Sequence, residues 1–109
     1  MTSTEHALDV RTAQRLAWDN KLAKGLNTTN VPYEFGLLHG ELAEAFTAWR
    51  RQQPGLGEEL ADVAIYLFGL AAMNGVDLQA EIEHKLQKNA ARHYERDPHS
   101  GAMNRVSEH

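Results

Sequence analysis

Glycine and proline divide this 109-residue chain into four segments of helical length. Breaks fall at residues 25–32, 54–57 and 75, and Asp97-Pro98 begins a polar C-terminal stretch. No segment alternates like a half-buried strand, and β-branched residues are sparse. The pattern predicts an all-α fold with four helices, at about residues 9–24, 32–53, 58–74 and 78–96.

The ends of these segments carry residues that are typical of helix starts. Asp9 is a candidate N-cap for the first helix, and Pro32 suits the first turn of the second. We expect one helical domain over residues 1–96, followed by a flexible polar tail over residues 97–109.

The composition argues against several classes of function. A net charge of −4 disfavours a broad basic surface for a nucleic-acid polymer. The absence of cysteine excludes thiolate metal sites and cysteine nucleophiles, and it fits a reducing compartment. The longest apolar run, residues 63–73, is shorter than the roughly 20 residues of a membrane span. We therefore expect a cytoplasmic protein that binds neither nucleic-acid polymers nor membranes.

The third segment is apolar on nearly every side beyond its first turn. A helix of this kind is normally buried all round, and three other helices of this length can hardly enclose it. We therefore expect a subunit interface and at least a homodimer; a monomer with an exposed patch is the alternative. The second segment has one apolar stripe, on which Trp49 is more typical of a core residue than of a base-stacking one. The stripe consists of Phe35, Leu38, Leu42, Phe46 and Trp49.

Two pairs of carboxylates recur at the same spacing. Glu41 and Glu44 are three residues apart, as are Glu59 and Asp62, so each pair occupies one helical face. Four converging carboxylates repel one another unless a cation neutralises them, and oxygen ligands favour hard cations such as Mg²⁺ or Mn²⁺. The alternatives are a solvated face on the second helix and acids favoured by the helix dipole on the third. Spacing alone leaves both interpretations open.

The fourth segment carries a polar stripe. Lys85, Asn89 and Arg92 lie at positions i, i+4 and i+7, and Asn89 falls on the side expected to face the core. The two bases could bind phosphates, with the arginine bidentate. A basic surface stripe with a locally satisfied amide is the alternative.

The loop over residues 25–30 is rich in small polar side chains. Asn27 within it could hydrogen-bond a base or a sugar, and Lys21, which precedes the loop, is a further candidate for substrate binding. Tyr66 on the third segment could stack on a base. A simple turn is the alternative for the loop.

Taken in order, these motifs resemble those of the MazG-like all-α nucleotide pyrophosphohydrolases, which include the dCTP pyrophosphatases. The resemblance is carried by ExxE at residues 41–44, EELAD at 58–62 and KxxxNxxR at 85–92, and it covers residues 25–94. It implies a four-helix bundle assembled as a homodimer or homotetramer. It also implies Mg²⁺-dependent cleavage of an NTP or dNTP to the monophosphate and pyrophosphate, in the clearing of non-standard nucleotides.

The resemblance also implies residue roles. The metal ligands and catalytic residues would be Glu41, Glu44, Glu59 and Asp62. The residues in contact with the nucleotide would be Lys85, Asn89 and Arg92. Many members have a further acid where this chain has Gly40, so either Glu41 or the metal itself would activate the attacking water. The alternatives are a dUTPase, a phosphoribosyl-ATP pyrophosphohydrolase, and a non-catalytic helical module for nucleotide binding or dimerisation.

Overall fold

The computed structural model describes residues 7–107, and these contain four α-helices and two short strands. Helix α1 spans Val10–Lys24, α2 spans Val31–Arg50, α3 spans Leu56–Met73 and α4 spans Leu78–Ala90. The predicted four helices and mainly α-helical fold are confirmed, and the first three helices lie close to their expected bounds. In this part of the chain no single helix combines the length and the apolar composition that crossing a membrane requires.

The chain divides into two compact units, one up to Leu78 and the other from Gln79. In the first unit α3 packs against both α1 and α2. Among the described residues the buried apolar core is small, and it consists of Ala45, Ala48, Leu70 and Ala71. Helix α3 is therefore the central element of this unit.

The starts of α1 and α2 are fixed by side chains that accept backbone hydrogen bonds. Asp9 Oδ1 accepts from Thr12 N at 2.7 Å, which confirms the predicted N-cap. Asn30 Oδ1 accepts from Tyr33 N at 3.1 Å, and Pro32 lies in the first turn of α2 as expected. These contacts satisfy backbone N–H groups that have no partner inside the helix.

Helix α2 turns its small residues toward α3. Ala45 and Ala48 are buried, and Glu41 lies on the same face, four residues before Ala45. The large apolar residues point elsewhere, with exposed fractions of 47% for Phe35, 54% for Leu42, 56% for Phe46 and 63% for Trp49. The expectation that Trp49 belongs to the core is therefore wrong. Small residues let two helix backbones approach closely, and that approach decides which face of α2 is inside.

Helices α1 and α3 meet at a residue without a side chain. A Cβ atom built on Gly69 of α3 would lie 2.6 Å from Cε of Lys21 on α1. Real Cβ contacts are essentially never this short, so the stem of Lys21 occupies the space that a side chain at Gly69 would need. Lys21 crosses α3 at this point and reaches Glu34 on α2.

The second unit begins with an exposed helix. Residues 80–90 are all exposed, and no residue of α4 is buried. Asn89 has no core to face within this second unit, and its expected core-facing position stays a prediction. Helical periodicity identified the apolar side of α4, but a periodic pattern does not reveal what covers it.

A β-hairpin follows α4 where the sequence predicted the end of a helix and a flexible tail. Strand β1 spans His93–Arg96 and pairs antiparallel with β2, which spans Met103–Ser107. Asp97 Oδ1 accepts hydrogen bonds from the backbone N–H groups two and three residues later, at 2.7 and 3.0 Å, and Gly101 adopts φ 77°. Strands of four and five residues are too short to show a clear alternation. The turn residues were the available signal.

Candidate metal and ligand site

Three carboxylates come together where α2 packs against α3. One oxygen atom from each of Glu41, Glu44 and Glu59 lies within 4.8 Å of the other two. These are three of the four predicted metal ligands, and we call them the carboxylate cluster. Asp62 is outside that group, although its charge acts on Glu41.

The local sequence explains why these side chains meet. Glu41 shares the inward face of α2, and Glu44 follows one turn later at a more exposed position. Glu59 belongs to the first turn of α3, whose N-cap residue Gly55 supplies no side-chain hydrogen bond. The positive end of the helix dipole favours an acid at that position. The cluster therefore extends from a helix N-terminus to the surface.

The electrostatics of the cluster are unfavourable in the protein alone. The pKa of Glu41 is raised, first by burial, then by the charge of Glu44 and a hydrogen bond with it, and finally by Asp62 and Glu59. The ion pairs described in the first unit join Arg11 to Asp77 and Lys21 to Glu34, and neither involves the cluster. The negative charge of these three carboxylates is therefore not balanced by an ion pair described in this unit.

One atom of the cluster is both buried and unsatisfied. Oε2 of Glu59 is inaccessible to solvent and has no hydrogen-bond partner among residues 7–107. A buried carboxylate oxygen in this condition costs free energy unless a ligand compensates it. An all-oxygen donor set of this kind suits Mg²⁺ or Mn²⁺ better than zinc. The residues present therefore fit a hard divalent cation.

A second carboxylate site, which the sequence analysis did not identify, has its own cation. Glu34 is fully buried, and its Oε2 lies 2.8 Å from Nζ of Lys21. This contact is an ion pair without hydrogen-bond alignment, whereas Oε1 accepts from Asn27 Nδ2 at 3.1 Å. Nζ of Lys21 also donates to the Asn27 carbonyl oxygen at 2.8 Å. Glu34 lies seven residues before Glu41, a helical spacing that could have placed it on the inward face.

A cavity of about 300 Å³ adjoins this ion pair. It brings together the three substrate-binding residues predicted in the first unit, Lys21, Asn27 and Tyr66, and it is also lined by Glu34. The pKa of Tyr66 is raised, mainly by burial and then by the charges of Glu41, Glu34, Asp62 and Glu44. Tyr66 is therefore protonated at neutral pH, and its surroundings include acids of both carboxylate sites.

Asn27 and Lys21 have contacts within the protein. Asn27 Oδ1 accepts from Asn30 N at 3.0 Å, and Asn27 Nδ2 donates to the Asn30 carbonyl oxygen at 2.8 Å. The Asn27 side chain thus shapes the loop, and Nζ of Lys21 is held by Glu34 and by the Asn27 carbonyl oxygen, which leaves Tyr66 as the predicted residue whose side chain has no such contact described. Their contact with a base or sugar stays a prediction.

The polar stripe predicted on the fourth segment lies in the second unit. Lys85 and Asn89 are exposed on α4, and Arg92 is half-buried just after the helix. Their contact with a nucleotide stays a prediction. Gly40 on α2 is exposed, and a Cβ atom there would meet nothing within 4 Å. Space is therefore available at the position where the resemblance leads one to expect another acid.

Comparisons with protein-family models, curated proteins and solved structures give no match for this chain. The resemblance to the MazG-like enzymes therefore rests on the residue pattern. The geometry of the carboxylate cluster and of the cavity does not depend on that resemblance.

Proposed function

We propose that this protein is a Mg²⁺-dependent nucleotide pyrophosphohydrolase that cleaves an NTP or dNTP to the monophosphate and pyrophosphate. The observation that carries the proposal is the carboxylate cluster, in which three acids from two helices lie within 4.8 Å of one another. The buried and unpartnered Oε2 of Glu59 gives this cluster a need for a cation. Protein carboxylates and substrate phosphates are the usual shared ligands of Mg²⁺.

Each acid has a distinct position in this proposal. Glu41, Glu44 and Glu59 would hold the ion, and Asp62 would add negative charge close to them. When bound, Mg²⁺ would neutralise phosphate charge and lower the pKa of the attacking water. The cluster would hold the cation close to the cavity. Tyr66 lines the cavity, and the nearby charge of Glu41 contributes to raising the pKa of Tyr66.

The cavity between α1, the following loop and α2 would receive the nucleoside. Its volume of about 300 Å³ lies at the lower end of the range for small-molecule pockets. A planar base could stack on Tyr66, whose protonated hydroxyl would be available to donate a hydrogen bond to the ligand. The buried pair of Lys21 and Glu34 would keep this wall of the pocket rigid.

The proposal is tested by supplying the full-length chain with Mg²⁺ and a panel of NTPs, dNTPs and phosphoribosyl-ATP. We expect pyrophosphate and a monophosphate as products, with turnover lost in EDTA and restored by Mg²⁺ or Mn²⁺. Release of orthophosphate, or an unchanged rate in EDTA, would contradict the proposal. Tight nucleotide binding without hydrolysis would favour a non-catalytic module. The best substrate would separate the dUTPase and phosphoribosyl-ATP alternatives.

The matched variants are Glu59→Gln and Glu58→Gln, which change neighbouring acids in the first turn of α3. Glu59→Gln removes a charged ligand from the cluster, so we expect turnover to fall at least about 100-fold with helix content retained. Asp62→Asn should also abolish turnover, because it removes charge that acts on the cluster. Glu58 is exposed and outside the cluster, so Glu58→Gln should keep activity. Full activity in both Glu59→Gln and Asp62→Asn would end the proposal.

A further inference from the structure

The cavity of about 300 Å³ is bordered by side chains from three helices and one loop. Helix α1 contributes Ala17, Asn20 and Lys21, whose spacing of three and four residues places them on one helical face. Tyr33 comes from α2 and Tyr66 from α3. Every lining residue belongs to the first unit, so the cavity wall is defined by this unit alone.

Three polar residues of this wall are bound to one another. Nζ of Lys21 donates to the Asn27 carbonyl oxygen at 2.8 Å and lies 2.8 Å from Glu34 Oε2. Asn27 Nδ2 donates to Glu34 Oε1 at 3.1 Å. These contacts form a closed ring between α1, the following loop and α2. Since their polar atoms are used inside the protein, these residues shape the wall and have little capacity left for a ligand.

Asn20 carries the second side-chain amide of the cavity, and this amide is uncommitted. The side chain is exposed on α1, and no hydrogen bond or ion pair is described for it within residues 7–107. An amide offers an acceptor oxygen and two N–H donors side by side, and a half-turn of the group exchanges their order. Ala17, one turn earlier, is too small to cover it. The amide is therefore available to a ligand in the cavity.

Two aromatic rings border the same cavity. Tyr33 is 57% exposed and Tyr66 is half-buried, and no contact between the two rings is described in residues 7–107. Flat rings stack on aromatic side chains, and Leu37 and Ile65 add apolar wall between the two helices that carry the tyrosines. Ring faces beside one free amide suit a flat heteroaromatic ring with a polar edge.

We propose that Asn20 is the specificity-determining residue of this cavity and binds the polar edge of a nucleobase. A side-chain amide pairs in a bidentate manner with a donor and an acceptor that are adjacent on a base edge. The inference moves to Asn20 the base contact that the sequence predicts for Asn27, whose amide is used by Asn30 and Glu34. It rests on the proposed function, because it takes the base of the nucleotide as the occupant of the cavity.

Base selectivity can be measured without hydrolysis. NMR titration of the full-length chain with CMP, UMP, AMP and GMP, in the absence of Mg²⁺, gives four dissociation constants. Asn20→Ala removes the amide, so it should weaken binding of the best of the four ligands at least about 10-fold and bring the four constants closer together.

Asn20→Asp provides a sharper test, because it keeps the shape of the side chain but replaces the N–H donors by a second acceptor. Guanine presents two neighbouring N–H donors on its Watson–Crick edge, and a carboxylate accepts both. The affinity for GMP relative to the other three monophosphates should therefore rise at least about 10-fold in this variant. A ratio compares ligands with the same phosphate, so repulsion between phosphate and the new charge cancels.

Asn27→Asp is the matched variant, because it makes the same chemical change at the other amide of the cavity. It removes the N–H that binds Glu34, so it should weaken all four ligands by similar factors and leave their ratios unchanged. Asp19→Asn lies next to Asn20 at an exposed position outside the cavity wall, and it should change neither affinity nor selectivity.

Three results would overturn the inference: unchanged ratios in both Asn20 variants, an equal change of ratios in Asn27→Asp and Asn20→Asp, or no binding of any monophosphate to the unmodified chain. Failure of the proposed function gives a different result. Selective binding that depends on Asn20, without pyrophosphate release from any triphosphate, would contradict the proposed reaction and support the inference. Pyrophosphate release with the same base selectivity in both Asn20 variants would support the reaction and overturn the inference.

Discussion

The two carboxylate sites of this protein differ in how far their negative charge is compensated by neighbouring residues. Glu34 is completely buried, yet it has Lys21 at 2.8 Å and an amide donor from Asn27 at 3.1 Å. The carboxylate cluster of Glu41, Glu44 and Glu59 is more exposed, yet no ion pair described in its unit involves it, and it contains a buried oxygen without a partner. The more buried acid is the better compensated one.

This difference separates a structural charge from a functional one. A buried acid that is paired with a base of the same chain helps to fix the arrangement of the helices. Removing the base leaves the acid buried without a compensating charge. Acids that repel one another without an internal cation retain affinity for an external one. The comparison predicts that the two sites respond differently to mutation, metal and pH.

The largest expected effect is at the buried ion pair of Lys21 and Glu34. Lys21→Met keeps most of the apolar stem but leaves Glu34 buried without its cation, so the free energy of unfolding should fall by about 3–5 kcal/mol. Urea denaturation measures this loss. Lys24→Met, at an exposed position in the last turn of α1, should change stability little. Equal stability of both variants would show that the ion pair has no structural role.

The second-largest effect is stabilisation by Mg²⁺, which we expect at the carboxylate cluster and not at the buried ion pair of Lys21 and Glu34. Mg²⁺ at about 100 times its dissociation constant should raise the free energy of unfolding by about 2.7 kcal/mol, because it binds the folded state. Glu59→Gln should lose this gain, whereas Glu58→Gln should retain it. An equal gain in Glu59→Gln, at matched ionic strength, would place the ion elsewhere.

The smallest effect is the pH dependence of the metal-free protein. The pKa of Glu41 is raised in the folded state, so the folded protein binds more protons than the unfolded chain above about pH 4.5. Its contribution to stability is therefore present at low pH and declines as the pH rises through the folded pKa. In EDTA, Glu41→Gln should remove part of this decline, by less than about 1 kcal/mol. A decline as steep as in the unmodified protein would contradict the assignment.

Much of the first unit was predictable from local pattern. Apolar periodicity and Gly and Pro breaks located α1 to α3, and the matched spacing of the two acid pairs anticipated the meeting of Glu41, Glu44 and Glu59. These features depend on helical geometry, which repeats along the sequence. The exact placement of Asp62 depends on the depth and angle of helix packing, which spacing does not determine.

The remaining features depend on contacts between distant residues. The buried pair of Lys21 and Glu34 forms because α1 and α2 both pack against α3. No local pattern in the sequence connects these two positions. The inward face of α2 was misassigned for Trp49 because the largest apolar residues were expected inside, whereas close packing selected Ala45 and Ala48. The hairpin after α4 depends on a turn whose strands are too short for periodicity to identify.

The absence of a side chain at Gly69 makes the residues at three positions, one on each of α1, α2 and α3, depend on one another. Any larger residue there requires the far end of the Lys21 side chain to move, and that movement takes Nζ away from Glu34 and from the Asn27 carbonyl oxygen unless residue 21 changes as well. A shorter uncharged residue at position 21 in turn makes the buried acid at Glu34 unsustainable. Among homologous sequences we therefore expect positions 21, 34 and 69 to covary as a triplet, although they are far apart along the chain. A set of relatives in which position 69 varies freely while the other two stay fixed would contradict this expectation.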